Sequence, residues 1–363
     1  MIGSIFPLRE VVLGRLFISL RKWPSAVALG LGAGLLFWAL CRKLAGLSFD
    51  WKLAGASLAR LQWQWLALSM LPISGTYIGR ALRWRIFLKP LKPRPSFRNL
   101  LSATVIGFTA ITLFGRPGEF VRPYLIAIKE KVSVPSQISA WVLERAFDLL
   151  MAILVFGLAL ARLNSAGLPL SSRLTWVLQA GGRMATVAGF AVLILLLSMR
   201  HLAEPLRRRL SSALAFLPQQ YHRRVQRMLT DLVEGVESTR NDRALFLVFL
   251  YSILEWILIV LCYWCLARAF GGMLKLSFEE VLIFAGFVSF GAIIQLPGIG
   301  GGAQVVAVVV LTELFGIRLE VATSFAVFNW AILVLVVVPV GLVTAVREGL
   351  SWRSLRRLGR ETV

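Results

Sequence analysis

Apolar runs long enough to cross a membrane alternate with basic loops along most of the chain. Each run has about 17 residues or more, which is the length that a helix needs to cross the hydrocarbon core. They predict spans at residues 25–41, 62–79, 145–161, 183–199, 244–266 and 321–346. Residues 80–98 hold seven Lys or Arg and are predicted to be a loop. The pattern predicts an all-α fold, a polytopic helical membrane protein.

Two further apolar segments are interrupted. As a helix, residues 100–114 would be only about 22 Å long, short of the roughly 30 Å core, and the sequence GRPG follows at Gly115. A second segment, residues 281–315, breaks at Pro297. Irregular backbone is tolerated at membrane depth only where protein or a watery cavity covers it. Short segments interrupted by Gly and Pro in corresponding halves indicate a transporter binding site.

The distribution of basic residues predicts the topology. The positive-inside rule assigns four segments to the cytoplasm, because they hold 25 of the 40 Lys and Arg: residues 1–24, 80–98, 200–243 and 347–363. The uncharged loop 164–172 is then external. Both ends of residues 100–139 are cytoplasmic, so this segment is predicted to be re-entrant. Around Pro297, a re-entrant hairpin and two full crossings both remain open.

Span for span, the second half repeats the first with opposite orientation. The halves, about residues 25–165 and 180–346, are predicted to form an inverted repeat with a pseudo-twofold axis in the membrane plane. Together they make one transmembrane domain, 25–346. A cytoplasmic segment (1–24) precedes it and a basic cytoplasmic tail (347–363) follows it.

Composition and charge agree with a membrane protein. The chain is 58% hydrophobic and 16% charged, with mean hydropathy +0.76, which is far from a soluble protein. The net charge of +22 lies in loops between spans, so anionic lipid headgroups are the expected partner and nucleic acid is not. Cys41, Cys262 and Cys265 are predicted to be buried thiols. No disulfide, metal or cofactor is expected.

The first break offers groups that suit a phosphate. Pro117 favours the first position of a new helix, which places Glu119 in its first turn and Arg122 three residues further on. A helix start with Arg116, Arg122 and the small Gly118 nearby is predicted to bind a phosphate. The alternative is that these charged residues form an interfacial cluster whose side chains reach the membrane surface.

The second break has no local charge. Pro297, Gly298 and Gly300 belong to a glycine-rich loop of backbone N–H groups that leads into a helix, and Gln304 is the first polar side chain after it. A ligand-binding loop and a purely structural kink are equally consistent with this sequence.

Four more charged residues lie inside apolar runs. Glu144, Arg145 and Asp148 are spaced i, i+1 and i+4, so they form either a structural ion pair or a direct substrate or proton site. Glu255 stands in the middle of a span, where an ionisable group is costly and is a functional candidate by default. All four are predicted to act in coupling or gating. No nucleophile–base pair, phosphate-binding P-loop or metal-ligand cluster is evident in the sequence, so an enzyme is not expected.

The motifs resemble the lysylphosphatidylglycerol synthase transmembrane-region family. The family element R-x-G-E-x-x-R matches Arg116, Gly118, Glu119 and Arg122, and E-R-x-x-D matches Glu144, Arg145 and Asp148. The second element usually reads P-G-G-I-G-x-x-E, whereas PGIGGGAQ here has Gln304 where a Glu is typical. The resemblance covers about residues 25–345. Full-length synthases add a soluble aminoacyl-transfer domain, so this chain looks like the flippase-like part alone.

The resemblance and the residues together predict a lipid flippase or transporter. It would move an anionic phospholipid or a lipid-linked phosphate such as a polyprenyl phosphate between leaflets of a bacterial-type inner membrane, with both termini cytoplasmic. The alternative is a non-catalytic accessory subunit of a glycosyltransferase or a lipid-synthesis enzyme. A membrane-embedded transferase would need an acid–base pair and a donor site that the sequence does not indicate.

Overall fold

The computed structural model describes residues 49–161, 179–180, 182–191, 194, 242–292, 295–296 and 300–349. Within these residues the α-helices are α1 Trp51–Ala59, α2 Trp63–Leu88, α3 Phe97–Phe114, α4 Val121–Glu130, α5 Val134–Ala161, α6 Asp242–Ala269, α7 Phe278–Gly291, α8 Gly302–Val309 and α9 Leu319–Arg347. Short 3₁₀-helices at Arg116–Phe120 and Gly271–Met273, a π-helical turn at Val310–Leu314 and two strands, β1 Gln295–Leu296 and β2 Gly300–Gly301, complete them.

The predicted all-α membrane fold is confirmed. Three helices of the described part are long and apolar enough to cross a membrane, at Phe97–Phe114, Arg243–Ala269 and Leu319–Arg347. The β-structure there is a two-residue antiparallel ladder between β1 and β2. The predicted span at residues 25–41, the loop 164–172, and most of the span 183–199, of the loop 200–243 and of the tail 347–363 lie outside the described residues.

The boundaries of the second helix correct the sequence analysis. Residues 80–98 were predicted to be a basic loop, but α2 continues to Leu88 and the connection to α3 is only residues 89–96. The helix continues because the side chains of Arg80 and Arg83 turn into the protein, where carboxylates pair with them. The prediction that this helix ends at residue 79, which relied on the charge of the following residues, is therefore wrong.

The segment after α2 forms a tight helical hairpin. Helix α3 begins at the N-cap Ser96 and ends at Gly115, which has φ 70°, a conformation that favours glycine. The chain then turns through the 3₁₀-helix and returns along α3 as α4. Two glycines permit the close approach, since a Cβ on Gly107 would lie 2.5 Å from Cβ of Arg122, and one on Gly118 would lie 2.5 Å from the backbone nitrogen of Ile111.

Hydrogen bonds join the end of the hairpin to its start. The Glu130 carboxylate at the end of α4 accepts hydrogen bonds from Asn99 Nδ2 (2.7 Å) and Ser96 N (3.2 Å) at the start of α3, and pairs with Lys92 Nζ at 2.7 Å. Burial by itself raises the pKa of this carboxyl, but the bonds from Lys92, Asn99 and Ser96 outweigh it and lower the pKa below its ordinary value. This out-and-back path is the geometry that the re-entrant prediction requires.

The two halves share one order of helices and one packing pattern. Helices α2, α3 and α5 correspond to α6, α7 and α9, at an offset of about 180 residues. Helix α3 packs against α9, and its counterpart α7 packs against α5, while α2 and α6 pack against each other. An exchange of this kind is what a pseudo-twofold axis between the halves produces.

The direction of α2 and α6 fixes the orientation of that axis. Gln62 N donates to the Ala269 carbonyl at 2.8 Å, and Arg83 donates to Ser252 Oγ at 3.0 Å, so the two helices are antiparallel. An axis that relates antiparallel helices is perpendicular to them. For helices that cross a membrane it lies in the membrane plane, which is the predicted inverted repeat.

Candidate functional site

A carboxylate with no solvent exposure stands at the centre of the first half. Glu144, on α5, accepts from Arg83 NH2 at 2.6 Å and from the indole nitrogen of Trp84 at 3.0 Å, both on α2. Arg122, on α4, bonds both oxygens of the same carboxylate with its two terminal nitrogens. One side chain thus joins three elements, as buried charges require when water cannot solvate them.

Arg83 extends this contact to the second half. It is fully buried, and its NH1 nitrogen donates to Asp148 Oδ1 at 2.8 Å and to Ser252 Oγ at 3.0 Å. The same nitrogen lies 3.5 Å from an oxygen of Glu255. Because Ser252 and Glu255 are on α6, Arg83 ties the two halves together.

Aromatic rings enclose two further arginines. The Arg80 guanidinium lies 4.6 Å from the ring centre of Phe108 and pairs with Glu255 through NH2. On the other side, the Arg122 guanidinium lies 5.3 Å from the centre of Phe108 and 4.8 Å from that of Trp84. Such cation–π contacts partly replace the hydration that burial removes.

Arg145 is the most exposed member of the group. Its NH2 nitrogen lies 2.7 Å from Asp148 Oδ2, the predicted i, i+3 pair, and 3.6 Å from Glu144 Oε2, and the side chain is 36% exposed. This group is the ionic cluster of Arg80, Arg83, Arg122, Arg145, Glu144, Asp148 and Glu255.

The ionic cluster has an excess of positive charge. Four guanidinium groups face three carboxylates, so the ionised cluster has one uncompensated positive charge. Several guanidinium nitrogens are buried and have no hydrogen-bond acceptor among the described residues, namely Nε of Arg80, Arg83 and Arg145 and NH1 of Arg80. A buried donor without an acceptor is costly, and an anion would satisfy both the charge and these donors.

The first break differs in part from its prediction. Pro117 is the second residue of the 3₁₀-helix that begins at Arg116, and the α-helix begins only at Val121. Glu119 pairs with Arg116 across one turn, whereas Arg122 turns away from both to Glu144. The two arginines of the predicted phosphate site are therefore engaged with different carboxylates. The prediction missed this arrangement because Glu144, which is remote in the chain, binds both terminal nitrogens of the Arg122 guanidinium.

The two breaks lie close together. Arg116, whose side chain is 44% exposed, donates from NH2 to the carbonyl of Ala292 at 3.0 Å. Ala292 is the C-cap of α7, where the second interrupted segment leaves its helix. The tip of the first half thus contacts the break of the second half.

The second break contains a two-residue antiparallel ladder and a capped helix start. Gly300 and Gly301 pair with Leu296 and Gln295, and Gln304 accepts from Gly301 N at 2.6 Å. Gly300 has φ 101°, which favours glycine. Gln304 is therefore bonded to the start of its own helix, as an N3 residue of a helix cap is. Pro297 and Gly298 lie outside the described residues.

Sequence reasoning found the carboxylates of the ionic cluster but missed two of its members, Arg80 and Arg83, and also Trp84, which donates to Glu144. Glu144, Arg145, Asp148, Glu255 and Arg122 were all candidates, and the structure brings them together. Arg80, Arg83 and Trp84 were assigned to a loop. Their i, i+3 and i, i+4 spacing continues the helical pattern of the preceding span, and this was the available signal. Cys262 and Cys265 are buried, as predicted. No group of potential metal ligands occurs among the described residues.

Antiparallel repeats, interrupted helices and a buried ionic cluster define a polytopic α-helical membrane protein of the inverted-repeat class. The family model described as the lysylphosphatidylglycerol synthase TM region matches residues 25–341, and the chain belongs to that family. The resemblance inferred from the motifs is thereby confirmed, and the protein is an integral membrane protein of a lipid-related family. No curated protein and no solved structure matches the chain.

Proposed function

We propose that this protein binds an anionic phospholipid or a lipid-linked phosphate and moves it between leaflets. The observation that supports this most is the uncompensated positive charge of the ionic cluster, together with its buried N–H groups that have no acceptor. Charge-assisted hydrogen bonds from guanidinium groups are the usual means of holding phosphate. The hydrogen bond from Arg116 to the Ala292 carbonyl also brings the breaks of the two halves together.

The inverted repeat supplies a mechanism for the proposed movement. Two halves related by an axis in the membrane plane can exchange inward-open and outward-open arrangements by moving against each other around a central site. In this proposal the membrane is a bacterial-type inner membrane, both termini are cytoplasmic, and the protein itself catalyses no covalent step.

One observation favours an accessory role instead. Both oxygens of Glu144 are saturated by Arg83, Trp84 and Arg122, as expected of a group that only holds helices together. In that case the protein would scaffold a glycosyltransferase or a lipid-synthesis enzyme, and the cluster would have no ligand.

Reconstitution in liposomes separates the two functions. Translocation of fluorescent phosphatidylglycerol, a fluorescent polyprenyl phosphate and fluorescent phosphatidylcholine would be compared for the wild type and Arg145→Gln. The substitution makes the cluster neutral at its most exposed member, so anionic-lipid translocation should fall about tenfold, as for one lost charged hydrogen bond. Arg60→Gln, an exposed change of the same kind at the end of α1, should have no effect.

The accessory role predicts a different result. Wild-type liposomes would then show no translocation of any of the three lipids above protein-free liposomes. Equal movement of phosphatidylcholine and phosphatidylglycerol would contradict the proposed preference for an anionic headgroup.

A further inference from the structure

The second half contributes one charged residue to the ionic cluster, among the residues that the structure describes. That residue is Glu255 on α6, whose side chain is 3% exposed. The other six members are on α2, α4 and α5 of the first half. Glu255 contacts Arg80 through one oxygen and Arg83 through the other. Ionic attraction between the halves at this site therefore depends on a single carboxylate.

The two arginines that Glu255 contacts are not equally satisfied. Arg83 also bonds Glu144, Asp148 and Ser252, so it keeps three partners without Glu255. Arg80 has Glu255 as its hydrogen-bonding carboxylate, and the nearest oxygen of Asp148 is 4.0 Å from its NH1 nitrogen.

Arg80 also has two of the four unsatisfied guanidinium nitrogens, more than any other member of the cluster. Its Nε and NH1 are buried and have no acceptor among the described residues, and its side chain is 13% exposed. Glu255 engages the remaining terminal nitrogen. A phosphate oxygen arriving at Arg80 would gain the free donors first, and it would then repel the carboxylate that shares the same guanidinium.

We propose that Arg80 binds the anionic oxygen of the headgroup phosphate and that Glu255 competes with this oxygen for the same guanidinium. The inference rests on the proposed function and names the residue that performs its binding step. When the phosphate binds, Glu255 retains Arg83 but loses Arg80, so the ionic tie between the halves weakens. Ligand binding thereby makes it easier for the halves to move against each other. The physical reason is that a ligand shifts an equilibrium between two conformations toward the one that it binds more tightly.

The competition predicts opposite effects of two substitutions. Arg80→Gln should weaken binding of an anionic headgroup by about tenfold or more, as for one lost charged hydrogen bond. Glu255→Gln removes the competitor and should strengthen binding by at least about threefold. It should also slow translocation, because the carboxylate that competes with the phosphate at Arg80 is lost.

The experiment measures binding to the purified full chain in nanodiscs of phosphatidylcholine. The probes are short-chain phosphatidylglycerol, glycerol phosphate and short-chain phosphatidylcholine. Binding of glycerol phosphate as strong as that of phosphatidylglycerol would assign the site to a soluble phosphate instead of a lipid. Glu320→Gln is the matched control, since Glu320 is a buried carboxylate of the second half that bonds Asp50 N at 3.1 Å, outside the ionic cluster. It should leave affinity unchanged.

Asp148→Asn tests whether the competition is specific. This substitution removes the same charge from the cluster as Glu255→Gln does, but Asp148 pairs with Arg83 and Arg145. Tighter binding by Glu255→Gln alone supports the proposal, whereas an equal gain in Asp148→Asn overturns it in favour of a general effect of charge. If Glu255→Gln does not fold, Arg80→Gln still tests the inference. Phosphatidylglycerol affinity equal to that of the wild type in Arg80→Gln contradicts it.

The outcomes distinguish this inference from the proposed function. Wild-type translocation of phosphatidylglycerol without a gain in Glu255→Gln leaves the function standing and removes the competition. Tighter binding in Glu255→Gln without wild-type translocation removes transport and leaves the binding site. Absence of phosphatidylglycerol binding by wild type and Glu255→Gln overturns the inference.

Discussion

At the scale of single residues, the two arginines of the RPGEFVR sequence have different surroundings. Arg122 is 3% exposed, bonds both oxygens of Glu144 and lies against the rings of Trp84 and Phe108. Arg116 is 44% exposed and bonds Glu119 and the Ala292 carbonyl. At Arg122 the planar guanidinium, with its two parallel hydrogen bonds, is essential. At Arg116 the solvent can replace part of each hydrogen bond.

This difference predicts unequal effects of a lysine at each position. Arg122→Lys keeps the charge but loses the second hydrogen bond to a buried carboxylate and the flat stacking on Trp84. It should reduce the free energy of unfolding by about 2 kcal/mol. Arg116→Lys should change it by less than about 1 kcal/mol, as for an exposed ion pair. Thermal unfolding of both variants in detergent measures the difference.

The comparison also separates stability from ligand binding. Equal and small losses of stability in the two variants would mean that the Arg122 fork does not hold the fold. If Arg122→Lys weakens lipid binding without any loss of stability, the guanidinium contacts the ligand directly and Glu144 serves only to orient it.

At the scale of elements, the hairpin of α3 and α4 depends on a glycine at its tip. Gly118 lies against the last turns of α3, where a Cβ would collide with backbone atoms of Ala110 and Ile111. A backbone atom cannot move aside as a flexible side chain can. The tip would therefore shift, and with it the neighbouring Arg116 and its contact with the second half.

Two Gly→Ala substitutions make this prediction testable. Gly118→Ala should destabilise the protein by about 1–3 kcal/mol, as overpacking usually does. Gly79→Ala is the matched control inside α2, where a Cβ would meet nothing within 4 Å. It should stabilise by about 0.5–1 kcal/mol because alanine favours helix. Thermal unfolding measures both, and a Gly118→Ala protein as stable as the wild type would show that the hairpin tip is not tightly packed.

At the scale of the whole molecule, the two halves share one arrangement of helices but differ in charge at corresponding positions. Shifted by the offsets of their helices, Trp84 and Glu144 correspond to Tyr263 and Asn329. Neither side chain is charged. The second half thus has neutral polar side chains at the positions where the first half has the Trp84–Glu144 hydrogen bond. The packing of the helices is repeated between the halves, while six of the seven members of the ionic cluster are in the first half.

The antiparallel arrangement also predicts which loops share a side of the membrane. Lys92 and the end of α4 lie together at the mouth of the hairpin, and Lys129 Nζ lies 2.5 Å from Glu348 Oε2 just after α9. The start of α9 is at the other end of that helix. Single cysteines at Lys92 and Lys131 should therefore react with a membrane-impermeant reagent from the cytoplasm alone. A cysteine at Arg318 should react from outside alone.

Labelling in intact cells and in inverted vesicles, on a background without the three native cysteines, checks this topology. A control cysteine at exposed Arg60 verifies that the reagent reaches the protein. Labelling of the Lys131 position from outside would contradict the re-entrant path and the inverted orientation that follows from it.

The sequence by itself determined the class of the protein and the places where its helices break. Apolar run length, Gly and Pro positions and the distribution of Lys and Arg are local properties, so they indicated an all-α membrane protein with interrupted segments near Gly115 and Pro297. The motifs around Arg116 and Glu144 identified the family. Intramembrane acids at Glu144, Asp148 and Glu255 were visible because charge in an apolar run is costly wherever its partner lies.

Only the tertiary structure decided which charges pair. The sequence predicts a basic loop for Arg80 and Arg83, whereas the fold pairs them with Glu255 and Glu144, which are far along the chain. The partner of Arg122 is likewise Glu144 and not the nearby Glu119. The physical reason is that a buried ion pair is stable only when desolvation is offset by close, well-oriented partners. Such partners come from helices that the chain brings together only when it folds.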